Sequence, residues 1–80
     1  MKDFVNLLIT MRKFLVVIEK AKRNFSADCP DLPGCIATGK TLKEVEGNIF
    51  EAIKMHVEGL TEDHRPIPQC KAISEYIVVE

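Results

Sequence analysis

The chain has 80 residues, 46 % of them hydrophobic and 29 % charged, with a formal net charge of −1. That length makes one domain with a modest core, the composition is that of a soluble globular protein rather than a disordered one, and a charge so near zero argues against a nucleic-acid binder driven by overall charge. The charge is unevenly placed: residues 1–23 carry six basic against two acidic side chains, and residues 24–80 carry five basic against ten acidic. An acidic stretch of this kind is either a solvated surface or an attraction for a basic partner.

In chain order, Met1 to Thr10 (MKDFVNLLIT) reads as an N-terminal arm, and the domain proper as residues 11–80. The arm's Phe4, Val5, Leu7, Leu8 and Ile9 are too apolar to stand in water without cost, so it is expected to pack on the domain or on a second subunit. Phe14 to Glu19 (FLVVIE) is apolar on both alternating faces and reads as a central strand. After a polar connection, Phe25, Ala27 and Cys29 alternate with polar residues as a second strand with one buried face. Pro30-Asp31-Leu32-Pro33-Gly34 is a turn, because two prolines end ladder pairing and Gly34 permits positive φ. Cys35 to Thr38 is a short third strand.

Thr41 and Glu44 have the spacing of a capping box. Leu42, Val45, Ile49, Ala52, Ile53, Val57 and Leu60 follow at intervals of three and four, one apolar stripe of a five-turn helix. Thr61 to Pro68 ends it, and Glu75 to Glu80 (EYIVVE) reads as a last strand. The expected fold is therefore α+β, in the order β-β-β-α-β. A long helical crossover favours a parallel return beside the first strand, giving a four-stranded mixed sheet of order 3-2-1-4 with one helix on one face, a partial ribonuclease H-like fold. One helix cannot cover both faces of such a sheet, so self-association or the arm is expected to bury the second.

The residues now in view resemble a known family. Val16 to Lys20 is followed by Pro30 to Cys35 (PDLPGC), then Thr38-Gly39-Lys40-Thr41-Leu42-Lys43-Glu44, Glu51-Ala52-Ile53, Glu62-Asp63 and Pro66-Ile67-Pro68. PDLPGC with T-L-x-E at this distance, and PIP after the helix, is similar to the HicB-like antitoxin domain over nearly all of residues 11–80. The resemblance implies a cytoplasmic, non-enzymatic antitoxin without a cofactor. Its partner would be a small HicA-type toxin, a messenger-RNA-cleaving ribonuclease whose active site the antitoxin occludes. Many members carry a C-terminal DNA-binding module. The sequence stops at Glu80 after the last expected strand, so direct DNA binding is not expected. The alternative is a stand-alone homo-oligomeric binding module with no toxin.

Glu19, Asp28, Asp31, Glu44 and Glu51 could supply carboxylates for a metal-dependent nuclease, but carboxylates in this pattern are more often solvated. Cys29, Cys35 and Cys70 are odd in number and follow no secretory signal, which fits a reducing compartment. Cys29 and Cys35 read as small buried hydrophobes rather than zinc ligands. His56 lies within the helical stripe, at a core edge or a partner contact. No apolar stretch is long enough to span a bilayer. The candidate partner-binding residues are Asp31, Leu32, Pro33 and Gly34 of the rigid turn, and Phe50 at the margin of the helical stripe.

Overall fold

The structure, a computed structural model, describes residues 12–80. The expected arm of residues 1–10 lies outside the described residues. Three strands, β1 (Val17–Lys20), β2 (Phe25–Asp28) and β3 (Ile36–Gly39), form an antiparallel sheet in sequence order, and one helix, α1 (Leu42–Glu62), lies on one face.

The short connections dictate this meander. Residues 21–24 close the first hairpin with an Ala21 N–H donated to Asn24 O at 2.8 Å. The register pairs Ile18 with Ala27 and Ala27 with Ala37, and Lys20 with Phe25 and Phe25 with Gly39. Those side chains share the helix-facing side, and three of them, Ala27, Ala37 and Gly39, are small. Small residues let the helix come close: a Cβ on Gly39 would stand 2.6 Å from the Val45 backbone nitrogen. Thr38 also accepts a 2.7 Å hydrogen bond at its carbonyl from Asn48 Nδ2 on the helix.

The turn between β2 and β3 belongs to the core. Cys29 N–H donates to Cys35 O, Leu32 N–H to Cys29 O and Cys35 N–H to Leu32 O, all within 3.1 Å. Gly34 sits at φ +82°, the left-handed region only glycine enters freely. This geometry tucks Leu32 under the sheet with no exposed area, beside Ala27, Cys29, Cys35, Val45 and Ile49.

The helix starts where the capping residues place it. Thr41 is extended (φ −128°, ψ 162°), and its hydroxyl accepts from Glu44 N–H at 3.0 Å. The expected reciprocal bond shifts by one residue: the Glu44 carboxylate accepts from Lys40 N–H at 3.2 Å, not from Thr41. At the far end Arg65 N–H donates to Leu60 O and His64 N–H to Thr61 O, with His64 at φ 55°. That is a Schellman closure with histidine where glycine is usual.

Two expectations are corrected. The strand read as Phe14 to Glu19 begins only at Val17. Its partner Asp28 is the last residue of β2, and continuing that register would set Leu15 opposite Pro30, which has no N–H to donate to a ladder. Phe14 to Val16 therefore pairs with nothing among the described residues. The last strand, and with it the four-stranded mixed sheet of order 3-2-1-4, is absent: Glu75 to Glu80 pairs with nothing among the described residues, and the sheet is three-stranded and wholly antiparallel. A β-strand has no internal hydrogen bonds, so alternation and β-branching fit the segment to a sheet without supplying an edge. The parallel pair on which the ribonuclease H-like expectation rested is missing with it. The chain after Pro68 is instead tied to the turn, with Ala72 N–H donated to Asp31 Oδ2 at 3.2 Å. Beyond Ala72, Tyr76 to Val79 are each at least 80 % exposed.

Candidate partner-binding site

Packing α1 over β3 and β2 leaves large apolar side chains on both flanks of the helix. On the β3 flank, Ile36 and Met55, each 69 % exposed, border a depression with Gly34, Cys35, Ala52 and His56. On the β1 flank, Phe14, Val16 and Ile18 face Phe50, Ile53 and Val57 across an open groove of about 670 Å³, with Arg12, Glu46, Lys54 and Glu58 also lining it. The two flanks follow from the helical period. Val45, Ile49, Ala52, Ile53 and Val57 form the core-facing stripe, and Met55 and Phe50 lie on opposite margins of it.

The sequence-predicted residues divide between these surfaces. Pro33 and Gly34 are exposed at the turn, with Gly34 on the depression shared with Met55. Asp31 is half-buried and accepts the Ala72 N–H. Leu32 has no exposed area, so it shapes the turn from within rather than presenting a contact. Phe50 is 63 % exposed but lines the β1 groove, on the other side of the helix from the turn. Ile36 was missed by the sequence reading. The signal was available, since alternation along Ile36-Ala37-Thr38-Gly39 places it opposite the helix-facing Ala37.

The titratable groups show no assembled chemistry. Among the described residues there is no group of three or more His, Cys, Asp or Glu placed to hold a metal ion. Glu19 and Asp28 share the outer face of the sheet and are exposed. Cys29 and Cys35 are free, buried and cross-strand neighbours. Burial pushes both thiols up from the ordinary range; at Cys29 a hydrogen bond from the Asp31 backbone partly offsets the rise. Such thiols are poor nucleophiles. Among the described residues no helix is long and apolar enough to cross a membrane.

Comparison with known proteins places this geometry. Residues 14–80 match the family model described as the HicB-like antitoxin of bacterial toxin–antitoxin systems. A 14.9 kDa protein encoded in the rep–hol intergenic region of Haemophilus phage HP1 is 40 % identical over 62 residues, covering 78 % of this chain and 47 % of its own length. A UPF0150 protein of Synechocystis is 39 % identical over 57 residues, covering 70 % of this chain and 72 % of the relative. Another from Thermoplasma acidophilum is 39 % identical over 61 residues, covering 75 % and 88 %. The chain thus spans about half the phage protein and more of the other two. Among solved structures, a chain of the HicA3 and HicB3 toxin–antitoxin complex is similar with a TM-score of 0.55 and 30 % identity, over 68 % of this chain and 66 % of that one.

Proposed function

Since the chain belongs to the HicB-like antitoxin family, we propose that it binds a small HicA-like, messenger-RNA-cleaving toxin in the cytoplasm and inhibits it by covering the toxin's active site. The observation that carries the reading is the apolar surface on the β3 flank of the helix and its charge. Met55 has the exposed Glu51 at i−4 and the exposed Glu58 at i+3 on the helix. Ile36 and the exposed turn residues Pro33 and Gly34 continue the surface. An RNA-cleaving protein must attract phosphates, so its active-site face is cationic. An apolar surface with carboxylates one helical turn away complements such a face, and charge complementarity speeds encounter and fixes orientation. The chain acts by binding, with Ile36 and Met55 as anchors and with Asp31 and Leu32 holding the turn in shape.

The test is co-expression of the tagged chain with its genomic neighbour, read as mass on a sizing column with light scattering. A stoichiometric complex with a small basic protein, lost on Met55→Glu together with Ile36→Glu, is expected. A neighbour that neither binds nor slows growth when expressed alone would overturn the reading. It would favour the second one, a stand-alone homo-oligomeric module, for which the exposed run of Tyr76 to Val79 speaks.

A further inference from the structure

Among the described residues, two apolar features are left at least partly open to water. The first is the groove beside β1. Among the described residues β1 is an edge strand with β2 on one side only, and α1 packs over β3 and β2 rather than over it, so Phe14, Val16 and Ile18, themselves half-buried, line an open groove with Phe50, Ile53 and Val57. The edge of β3 differs, since the Thr38 carbonyl there is taken by Asn48. The second feature is Tyr76-Ile77-Val78-Val79, which leaves the domain after Ala72 and stays at least 80 % exposed. An open strand edge and an exposed, strongly β-forming segment are each a liability in solution unless something covers them.

We propose that they cover each other between two copies: residues 75–80 of one copy lie along the β1 edge of a second, and the second returns the same segment. This is a contact between chains, not a further strand of the chain's own sheet. Period-2 alternation sends one pair of side chains, Tyr76 and Val78 or Ile77 and Val79, into the partner's groove. Length fits, because six extended residues span about 20 Å, and β1 with the three residues before it, Phe14 to Lys20, spans at most about 23 Å. Charge fits at one end: the apolar run is bounded by Glu75 and Glu80, and the β1 stretch is preceded by the exposed Lys13, while at its far end the exposed Lys20 stands beside the exposed Glu19. Exchange of an identical element is isologous, so it closes as a two-fold dimer instead of growing into a fibre.

The experiment uses the purified full chain without any toxin, so its outcome is independent of the antitoxin reading. Wild-type protein is run on a sizing column with light scattering, beside the pairs Tyr76→Glu/Val78→Glu and Ile77→Glu/Val79→Glu. Those side chains are exposed within one copy, so the substitutions leave the domain folded, as far-ultraviolet circular dichroism checks. Wild type is expected at about 18 kDa, twice the 9.0 kDa of one chain, and at least one pair at 9.0 kDa. Phe50→Glu, at the groove's lip, is expected to weaken self-association about tenfold or more. A wild-type monomer at the highest concentration reached overturns the proposal, and so does a dimer that both tail pairs leave intact. If amide exchange shows the run protected in a monomer, its own chain covers it; if only in a complex with another protein, that protein does. Either result also overturns the proposal.

Discussion

Replacing Gly39 by alanine tests how the helix is seated on the sheet. Gly39 is buried at the end of β3, paired with Phe25. An alanine Cβ there would stand 2.6 Å from Val45 N, 2.9 Å from Val45 Cα and 3.0 Å from the Glu44 carbonyl carbon. Ordinary contact begins near 3.4 Å, so the first turn of α1 must retreat by about 0.8 Å. All three atoms are backbone, and no side chain can swing aside. The first turn is also pinned by the Thr41 cap, and the second by the Asn48 bond to Thr38. Overpacking of this kind costs about 1–3 kcal/mol, against a gain of about 0.4–1 kcal/mol from restricting the unfolded chain. The expected net loss is about 1–2 kcal/mol, or roughly 4–16 °C in melting temperature for a domain of this size. Gly47 supplies the opposite sign: it lies inside α1, and its Cβ would meet nothing within 4 Å. Gly47→Ala is expected to stabilise by about 0.5–1 kcal/mol. The assay is urea unfolding followed by circular dichroism, comparing midpoints at unchanged slope. If Gly39→Ala is neutral or stabilising while Gly47→Ala stabilises, the helix is not seated as described and the steric argument fails.

Three further outcomes are expected. Leu32→Ala removes a side chain with no exposed area from the turn and should cost about 2–5 kcal/mol in urea unfolding, against a few tenths for the exposed Pro33→Ala. His64→Gly should stabilise by about 0.5–1 kcal/mol, because His64 closes the helix at φ 55° where glycine carries no Cβ penalty; unchanged or lower stability would mean that the imidazole contributes something the backbone bonds do not show. Cys29 and Cys35 should react with a thiol reagent only after unfolding, leaving Cys70 as the fast thiol in the native protein. Their raised pKa values mean that the folded state holds these protons more tightly than the unfolded one. The stability this gives is whole below the ordinary thiol pKa and is lost as pH rises through it towards the raised values. Urea midpoints from pH 7 upwards should fall, and they should fall less in a Cys29→Ala/Cys35→Ala chain.

What the sequence made legible was local. The Thr41 and Glu44 spacing located the helix start, the stripe from Leu42 to Leu60 located its length, and the two prolines with Gly34 located the turn. Each signal depends on residues a few positions apart. Pairing partners were not legible. Glu75 to Glu80 has the composition of a strand, yet a strand exists only against an edge, and no local pattern names that edge. The same limit hid the role of Leu32. A leucine between two prolines in a turn looks exposed, but three backbone hydrogen bonds among Cys29, Leu32 and Cys35 turn it inward. Of the candidate contacts, Pro33, Gly34 and Phe50 are exposed as their composition suggested, and only the structure shows that the turn and Phe50 serve opposite flanks.

The distribution of side-chain size explains why a chain this small leaves so much apolar surface outside its core. Helix and sheet are held close by Ala27, Cys29, Cys35, Ala37 and Gly39, so the buried centre has room for few large groups besides Leu32, Val45 and Ile49. Larger apolar side chains such as Ile36, Phe50, Met55 and Tyr76 are left outside. Close packing of small residues gives a thin scaffold with little apolar area removed from water, which leaves a domain of this length only marginally stable. The exposed groups on the two flanks of α1 remove area from water only when another chain covers them. On the proposed readings, binding is the completion of the core by a partner: the toxin proposed for the Ile36 and Met55 flank and the second copy proposed for the Phe50 flank do not compete, because α1 keeps the two surfaces apart.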